Sequence, residues 1–268
     1  MRTVAHLVAL LFCLLWMAPV EAATCNDPAG FDAWLAEFKR QAAANGISES
    51  AIGALDGITY DPGIVARDHG QHVFQQSFEE FSGRMVNSYR LNKGQALIKR
   101  YAPVFARIEQ EYGVPASVIV AIWGLETDFG AVSGNVPTLR ALATLAYDCR
   151  RSEMLQAELM DALRLIQRGD LSPNAHGAWA GEVGQTQFMP SSYLKFAVDY
   201  DGSGRRDLLH NVPDVLASTA NFLRSYGWQR GGPWTPGSAN FAVIKEWNKA
   251  DVYARTIAYF ATRLSGGE

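Results

Sequence analysis

The chain has 268 residues, 48% hydrophobic and 19% charged, with a formal net charge of -3. That length and balance suit a globular protein with a full core and exclude a disordered or fibrous chain. Acidic and basic residues are well mixed, so there is no basic stripe of the kind that nucleic-acid backbones or anionic membrane surfaces demand.

The first residues read as an export signal over 1–22. Arg2 supplies a positive start, Leu7 to Trp16 an apolar stretch, and Val20-Glu21-Ala22 a small-residue cleavage site. That stretch is too short to span a bilayer, and no later segment is apolar for long enough, so a water-soluble mature protein in the periplasm is expected. Acylation at Cys25 fits poorly with Thr24 before it. With Cys13 removed in the signal, Cys25 and Cys149 remain, and in an oxidising compartment they either form a disulfide or stand as two separate thiols.

Asp27-Pro28 marks a helix start, and Phe31, Trp34, Leu35 and Phe38 then recur at helical spacing. Gly46-Ile47-Ser48 restarts the chain, with Ile52 and Leu55 on one side. Phe74, Phe78 and Phe81 make another apolar stripe, which reads as core. Val104, Phe105, Ile108 and Tyr112 predict a helix stopping at Gly113, and Pro115 opens the strongly apolar run from Val118 to Leu125. Alanine-rich helices follow around 139–146 and 155–166. Residues 169–190 and 231–240 read as loops, and the best strand signal lies around Phe196 to Val198. The fold class expected is mainly α, a single helical domain with a long central loop region where binding groups belong.

Two segments carry chemistry. In Ile122-Trp123-Gly124-Leu125-Glu126-Thr127 an acid ends an apolar helix, where desolvation should raise its pKa and let it hold a proton near neutral pH. A glutamate near a helix end is, by itself, more often a surface or ion-pair residue. From Gly177 to Tyr193, small residues allow backbone to approach a ligand. There Trp179, Phe188 and Tyr193 offer flat apolar faces and Gln187 offers a donor and an acceptor, which suits a sugar ring or, blandly, a structural glycine loop.

Together these segments resemble the lytic murein transglycosylases, the family typified by membrane-bound lytic transglycosylase B. The likeness extends through Tyr112–Pro115, Glu126-Thr127, Ala143–Leu145, Gln187–Tyr193, Ser218–Trp228 and Trp247-Asn248. It implies an α+β, lysozyme-like catalytic domain over 23–268, with an N-terminal helical part (23–100) packed on a core (101–268). It further implies that Glu126 is the catalytic acid and base, and that Ala178, Gln187, Phe188, Tyr193, Phe222, Trp247 and Asn248 line a glycan groove. The reaction implied is cleavage of the MurNAc-GlcNAc β-1,4 bond of peptidoglycan with formation of 1,6-anhydromuramyl ends by a monomer needing no cofactor. The rivals are a hydrolytic muramidase and a non-catalytic peptidoglycan-binding module; an acid in so apolar a setting speaks against the module.

Four features depart from the pattern or stand outside it. Glu182 sits where many relatives carry a small residue and would supply a second carboxylate, and Cys149 lies near a position where relatives often present a tyrosine. Asp199, Asp201, Ser203, Arg205 and Asp207, with Gly204, follow the start of a calcium loop as some relatives do. However, position 12 is His210 rather than a bidentate glutamate, so Asp214 would have to substitute. The other reading is a turn stabilised by aspartate and glycine. His69 and His72 have helical spacing but no third partner in the sequence, so a zinc site is not expected.

Overall fold

The computed structural model describes residues 27–70 and 76–267. The export signal, Cys25, His72 and Phe74 lie outside the described residues. No described helix is long and apolar enough to cross a membrane.

The chain forms helix after helix, several of them begun by a local side-chain cap. Asp27 caps a 3-10 turn at Pro28–Gly30, ahead of α1 (Phe31–Ala44), which buries Phe31, Leu35, Phe38 and Ala42. Ser48 caps α2 (Glu49–Ile52), Asp61 caps α3 (Pro62–His69), and a reciprocal Ser77–Glu80 capping box starts α4 (Phe78–Met85). Then come α5 (Ser88–Arg100), α6 (Ala102–Tyr112) and α7 (Ala116–Thr127). Gly113 ends α6 in the left-handed conformation that relieves its last carbonyls. After α7 a two-residue strand β1 (Val136–Pro137) leads into α8 (Thr138–Tyr147) and α9 (Ser152–Gln167). Strand β2 (His176–Gly177) pairs antiparallel with β1, Val136 opposite Gly177. The rest is α10 (Pro190–Phe196), α11 (Val212–Ser225), α12 (Ala239–Trp247) and α13 (Asp251–Leu264).

Helix α7 is apolar on every side and its residues from Ser117 to Leu125 are buried, so it can only be a central helix. It packs against α5, α6, α11 and α13 and forms the axis of the larger apolar core. A second, smaller core joins α1–α3 to α8 and α9, with Phe31, Leu142, Leu145 and Leu159 at its centre.

The seam between these cores differs from the expected division at residue 100. Helices α4 and α5 pack on α7 and α13 and so belong with the larger core, whereas α8 and α9, far along the chain, complete the N-terminal core. The expected strand at 196–198 is also absent. Pro190 at the first helical position starts a short helix that runs to Phe196, and the Val198 N–H is taken by Ser218 Oγ instead of a strand neighbour.

The β1–β2 pairing depends on Gly134, whose φ is +92° and whose added Cβ would lie 2.0 Å from the Gly177 carbonyl oxygen. A side chain there meets both a forbidden backbone region and a fixed backbone atom. Gly134→Ala should therefore destabilise the fold by about 1–3 kcal/mol. Urea unfolding measures this directly, and an unchanged midpoint would show that the pairing has slack.

Candidate functional site

The groove lies on the larger core, with the loop joining the two cores forming one wall. Its volume is about 390 Å3. Glu126 comes from the last turn of α7, Phe222 from α11, and Trp247 with Asn248 from the end of α12; Ala178, Trp179, Glu182, Gln187, Phe188 and Met189 come from the central loop.

That loop is held by its own hydrogen bonds and by α7. Val183 and Phe188 exchange backbone bonds of 2.9 Å each way, and the Ala178 N–H donates to the Glu182 carbonyl at 2.8 Å. Gln185 is the clamp: its Oε1 accepts from Trp123 Nε1 at 3.0 Å, its Nε2 donates to the Leu209 carbonyl at 3.0 Å, and its carbonyl accepts from Thr127 Oγ1. Thr127, next to Glu126, thus ties the helix end to the loop. Gln187 sits in the left-handed region at φ 56°, an uncommon state for a non-glycine residue that marks a backbone held by its surroundings. Its amide nitrogen donates to the Gly184 and Ser133 carbonyls, so its amide oxygen is the atom left to present to a ligand.

Glu126 stands among these groups. Its Oε1 accepts from Trp247 Nε1 at 2.9 Å, and the Tyr253 hydroxyl lies against the same carboxyl as a second donor. Burial raises its pKa from the ordinary carboxylate value to about 7. The Trp247 and Tyr253 donors pull it down, and a negative charge on Glu182, the smallest contribution, would push it further up. An aromatic cluster aims the indole: Phe188 and Phe222 meet Trp247 edge to face at 5.2 and 4.9 Å. Asp128, two residues on, turns away into the left-handed helix cap and faces Arg90 Nε at 3.4 Å.

Of the residues named from the sequence, Glu126, Ala178, Gln187, Phe188, Phe222, Trp247 and Asn248 meet in this one groove. Tyr193 does not. It is fully buried behind the wall, its hydroxyl bonded to the Asp170 and Arg206 carbonyls and to the Leu208 N–H, because it lies on the inward side of the short helix α10. Sequence reasoning missed Tyr253, which belongs to the buried stripe of α13 and carries no motif. Ser192, Tyr226 and Glu246 also line the groove.

The aspartate loop differs in membership from the expectation. Carboxylate oxygens of Asp199, Asp201 and Asp214 lie within 4.8 Å of one another. Asp207 instead receives the Leu209 and His210 N–H groups and pairs with Arg205, and Ser203 donates to Asp199. Asp214, at the start of α11, is fully buried and accepts from the Tyr200 and Asp207 N–H groups. Burial first, and then the neighbouring Asp201 and Asp199 charges, raise its pKa. Three hard oxygen donors fit a divalent cation such as calcium, although the Arg205 and Asp207 side chains are otherwise engaged.

Cys149 is exposed and disulfide-bonded, in the turn between α8 and α9. His69 contacts Asp148 at 3.0 Å, and ligand atoms of Asp68, His69 and Asp148 lie within 4.8 Å of one another, a third partner the sequence did not reveal; Asp68 is buried and paired with Arg150 and Arg151.

The sequence pattern of the family described as "Transglycosylase SLT domain" matches residues 30–238. Over 150 residues the chain is 37% identical to the membrane-bound lytic murein transglycosylase B of Escherichia coli K12, which is 55% of this chain and 41% of that protein. The chain thus spans about two fifths of that relative's length. SltB3 of Pseudomonas aeruginosa, solved in complex with NAG-anhNAM-pentapeptide, superposes with a TM-score of 0.84 at 30% identity, covering 88% of this chain and 80% of that one. Escherichia coli Slt35, solved in complex with calcium, shares the fold at a TM-score of 0.77 and 23% identity, covering 86% and 92% of the two chains. A half-buried glutamate at the head of an aromatic groove, on a helical fold shared with these proteins and under a family match that takes in most of the chain, leads to one conclusion: this chain belongs to the transglycosylase SLT domain family.

Proposed function

We propose that the chain is a peptidoglycan lytic transglycosylase that cleaves the MurNAc-GlcNAc β-1,4 bond with Glu126 as both acid and base. The observation that carries this reading is the Glu126 carboxyl, held by Trp247 at the groove and lifted to about 7. At that value a large share of the molecules hold the proton at neutral pH, so the group can protonate the glycosidic oxygen as the C1–O bond breaks. The carboxylate left behind then takes the proton from the muramyl C6 hydroxyl as its oxygen attacks C1, closing the 1,6-anhydro ring. No water is consumed, and Glu126 ends protonated as it began. SltB3 crystallises with a ligand bearing an anhNAM unit, which suits such a product.

The muramidase reading has one observation in its favour, a second carboxylate, Glu182, on the same groove. A hydrolase needs that group ionised to activate water, whereas burial pushes the Glu182 pKa upward. We place the protein in the periplasm, acting on glycan strands as a monomer.

Glu126→Gln should lower cleavage of purified glycan strands by at least about 1,000-fold, as removal of an essential proton donor and acceptor does. Mass spectrometry of the unmodified chain's products should show ends one water lighter than reducing ends. Reducing ends would establish the hydrolase, and intact strands the binding module.

The same group has a cost in stability. Its folded pKa of about 7 lies above the ordinary 4.5, so the folded state binds the proton more tightly. The associated stabilisation is complete below pH 4.5 and is lost as pH rises to 7. Glu126→Gln should thus match the parent chain near pH 4.5 and exceed it by on the order of 2 kcal/mol at pH 8. Urea unfolding at both values tests this, and a variant less stable at pH 8 would remove the burial argument.

Asp199, Asp201 and Asp214 would hold a structural calcium ion, which would neutralise their mutual repulsion at the start of α11. With a millimolar Kd, as incomplete loops show, 10 mM calcium should raise the unfolding midpoint by about 2–5 °C. A midpoint indifferent to calcium and to chelator leaves only a turn.

A further inference from the structure

Glu182 is the half-buried acid on the groove wall that the single-glutamate mechanism leaves idle. The groove's third carboxylate, Glu246, is exposed and paired with Lys249. Glu182 is placed by the backbone on both sides of it. Its carbonyl accepts from the Ala178 N–H, and Val183, next in the chain, is locked to Phe188 with its side chain fully buried in the larger core. Successive side chains in extended backbone alternate sides, so Val183 inward puts Glu182 toward the groove.

Its carboxyl has little to bind there. The Oε2 atom is closed off from solvent and meets no hydrogen-bond partner among the described residues, and the donor nearest the carboxyl is the residue's own backbone N–H. The charged groups around it are Arg151, already bound to Asp68, and Glu158, whose two oxygens are occupied by the Ser191 N–H and hydroxyl. On the groove side stands Glu126, another acid. A buried ionised carboxylate so placed would be costly, and a neutral one carries an O–H with no acceptor. Burial does raise its pKa. The side chain nonetheless lines the groove, and with Oε2 closed off the other carboxyl oxygen is the one left to meet a ligand, where an O–H needs an acceptor on that ligand.

We propose that Glu182 binds the glycan as a neutral acid, donating a hydrogen bond to a carbonyl or hydroxyl oxygen of the sugar beside the scissile bond and so positioning that bond at Glu126. This rests on the reading of the groove as a glycan site. It makes Glu182 a substrate-binding residue, distinct from a base that would activate water.

The test uses the full chain carrying Glu126→Gln, which halts cleavage, and peptide-free glycan strands in calorimetric titration. Adding Glu182→Ala should weaken binding by about 5- to 20-fold, the loss expected of one buried hydrogen bond. Adding Glu182→Gln keeps an uncharged donor of the same shape, so its Kd should stay within about 3-fold. Equal weakening in both double variants would mean that the ionised form is what binds, and no weakening in the alanine variant would mean no contact; either overturns the proposal. Strands that fail to bind even the Glu126→Gln chain overturn the glycan reading together with it, whereas binding there with an unmoved alanine variant overturns Glu182 alone.

Discussion

An acid at the end of a helix that is apolar all round is the constraint on which the rest depends. Helix α7 can be stable only if covered on every side, and the elements that cover it, α5, α6, α11 and α13, are those that build the larger core. The same cover that stabilises α7 takes water away from Glu126, and it is this desolvation, ahead of any neighbouring charge, that lifts the carboxyl toward neutrality. Packing and proton affinity are therefore one design. A change that loosened α13 against α7 would expose Glu126 and lower its pKa without touching the residue.

Desolvation alone would leave the carboxyl unoriented. Orientation comes from Trp247, whose indole is both a wall of the groove and a hydrogen-bond donor, and whose ring is set by Phe188 and Phe222. Phe188 belongs to the central loop and Phe222 to α11, so the angle of one indole reports on the placement of two distant segments. Gln185 closes the circuit by tying the loop to Trp123 on α7, one turn before the acid. Three chain segments are thus fixed relative to one proton by aromatic edges and a few hydrogen bonds. That is the rigidity a proton-transfer site needs, since small displacements of the acid carry large penalties in rate.

What the sequence made legible follows from how local each feature is. The apolar run ending in Glu126 announces a buried helix because no face is polar, and Gly113 and Pro115 bound it. The aspartate-rich turn at 199–207 is likewise visible. The residue that completes its carboxylate cluster, Asp214, lies in the next helix, and the choice between it and Asp207 is made by how α11 docks. Tyr193 illustrates the opposite error, for a flat aromatic beside a groove motif looks like a sugar platform. On a seven-residue helix, however, its side is set by Pro190 and Phe196, and it points into the core. Division into two cores was hidden for a similar reason. The amphipathic stripes of α1 and α5 look alike, and only tertiary packing decides that one helix joins α8 and α9 and the other joins α7.

Two acids share the groove, and their surroundings treat them differently. Glu126 is given two donors, Trp247 and Tyr253, that stabilise its anion and keep its pKa near neutrality despite burial, so both of its protonation states are accessible near neutral pH. Glu182 has, among the described residues, no side-chain donor to set against its burial, and its Oε2 meets no partner, so its pKa is pushed up with little to oppose it. Only the first arrangement suits a group that must give a proton and take one back. The second suits a group that holds its proton and points it at an oxygen. Moreover, a neutral Glu182 would leave an anion at Glu126 unopposed, whereas an ionised one would repel it. The asymmetry in hydrogen-bond donors thus separates the roles of two identical side chains on one wall.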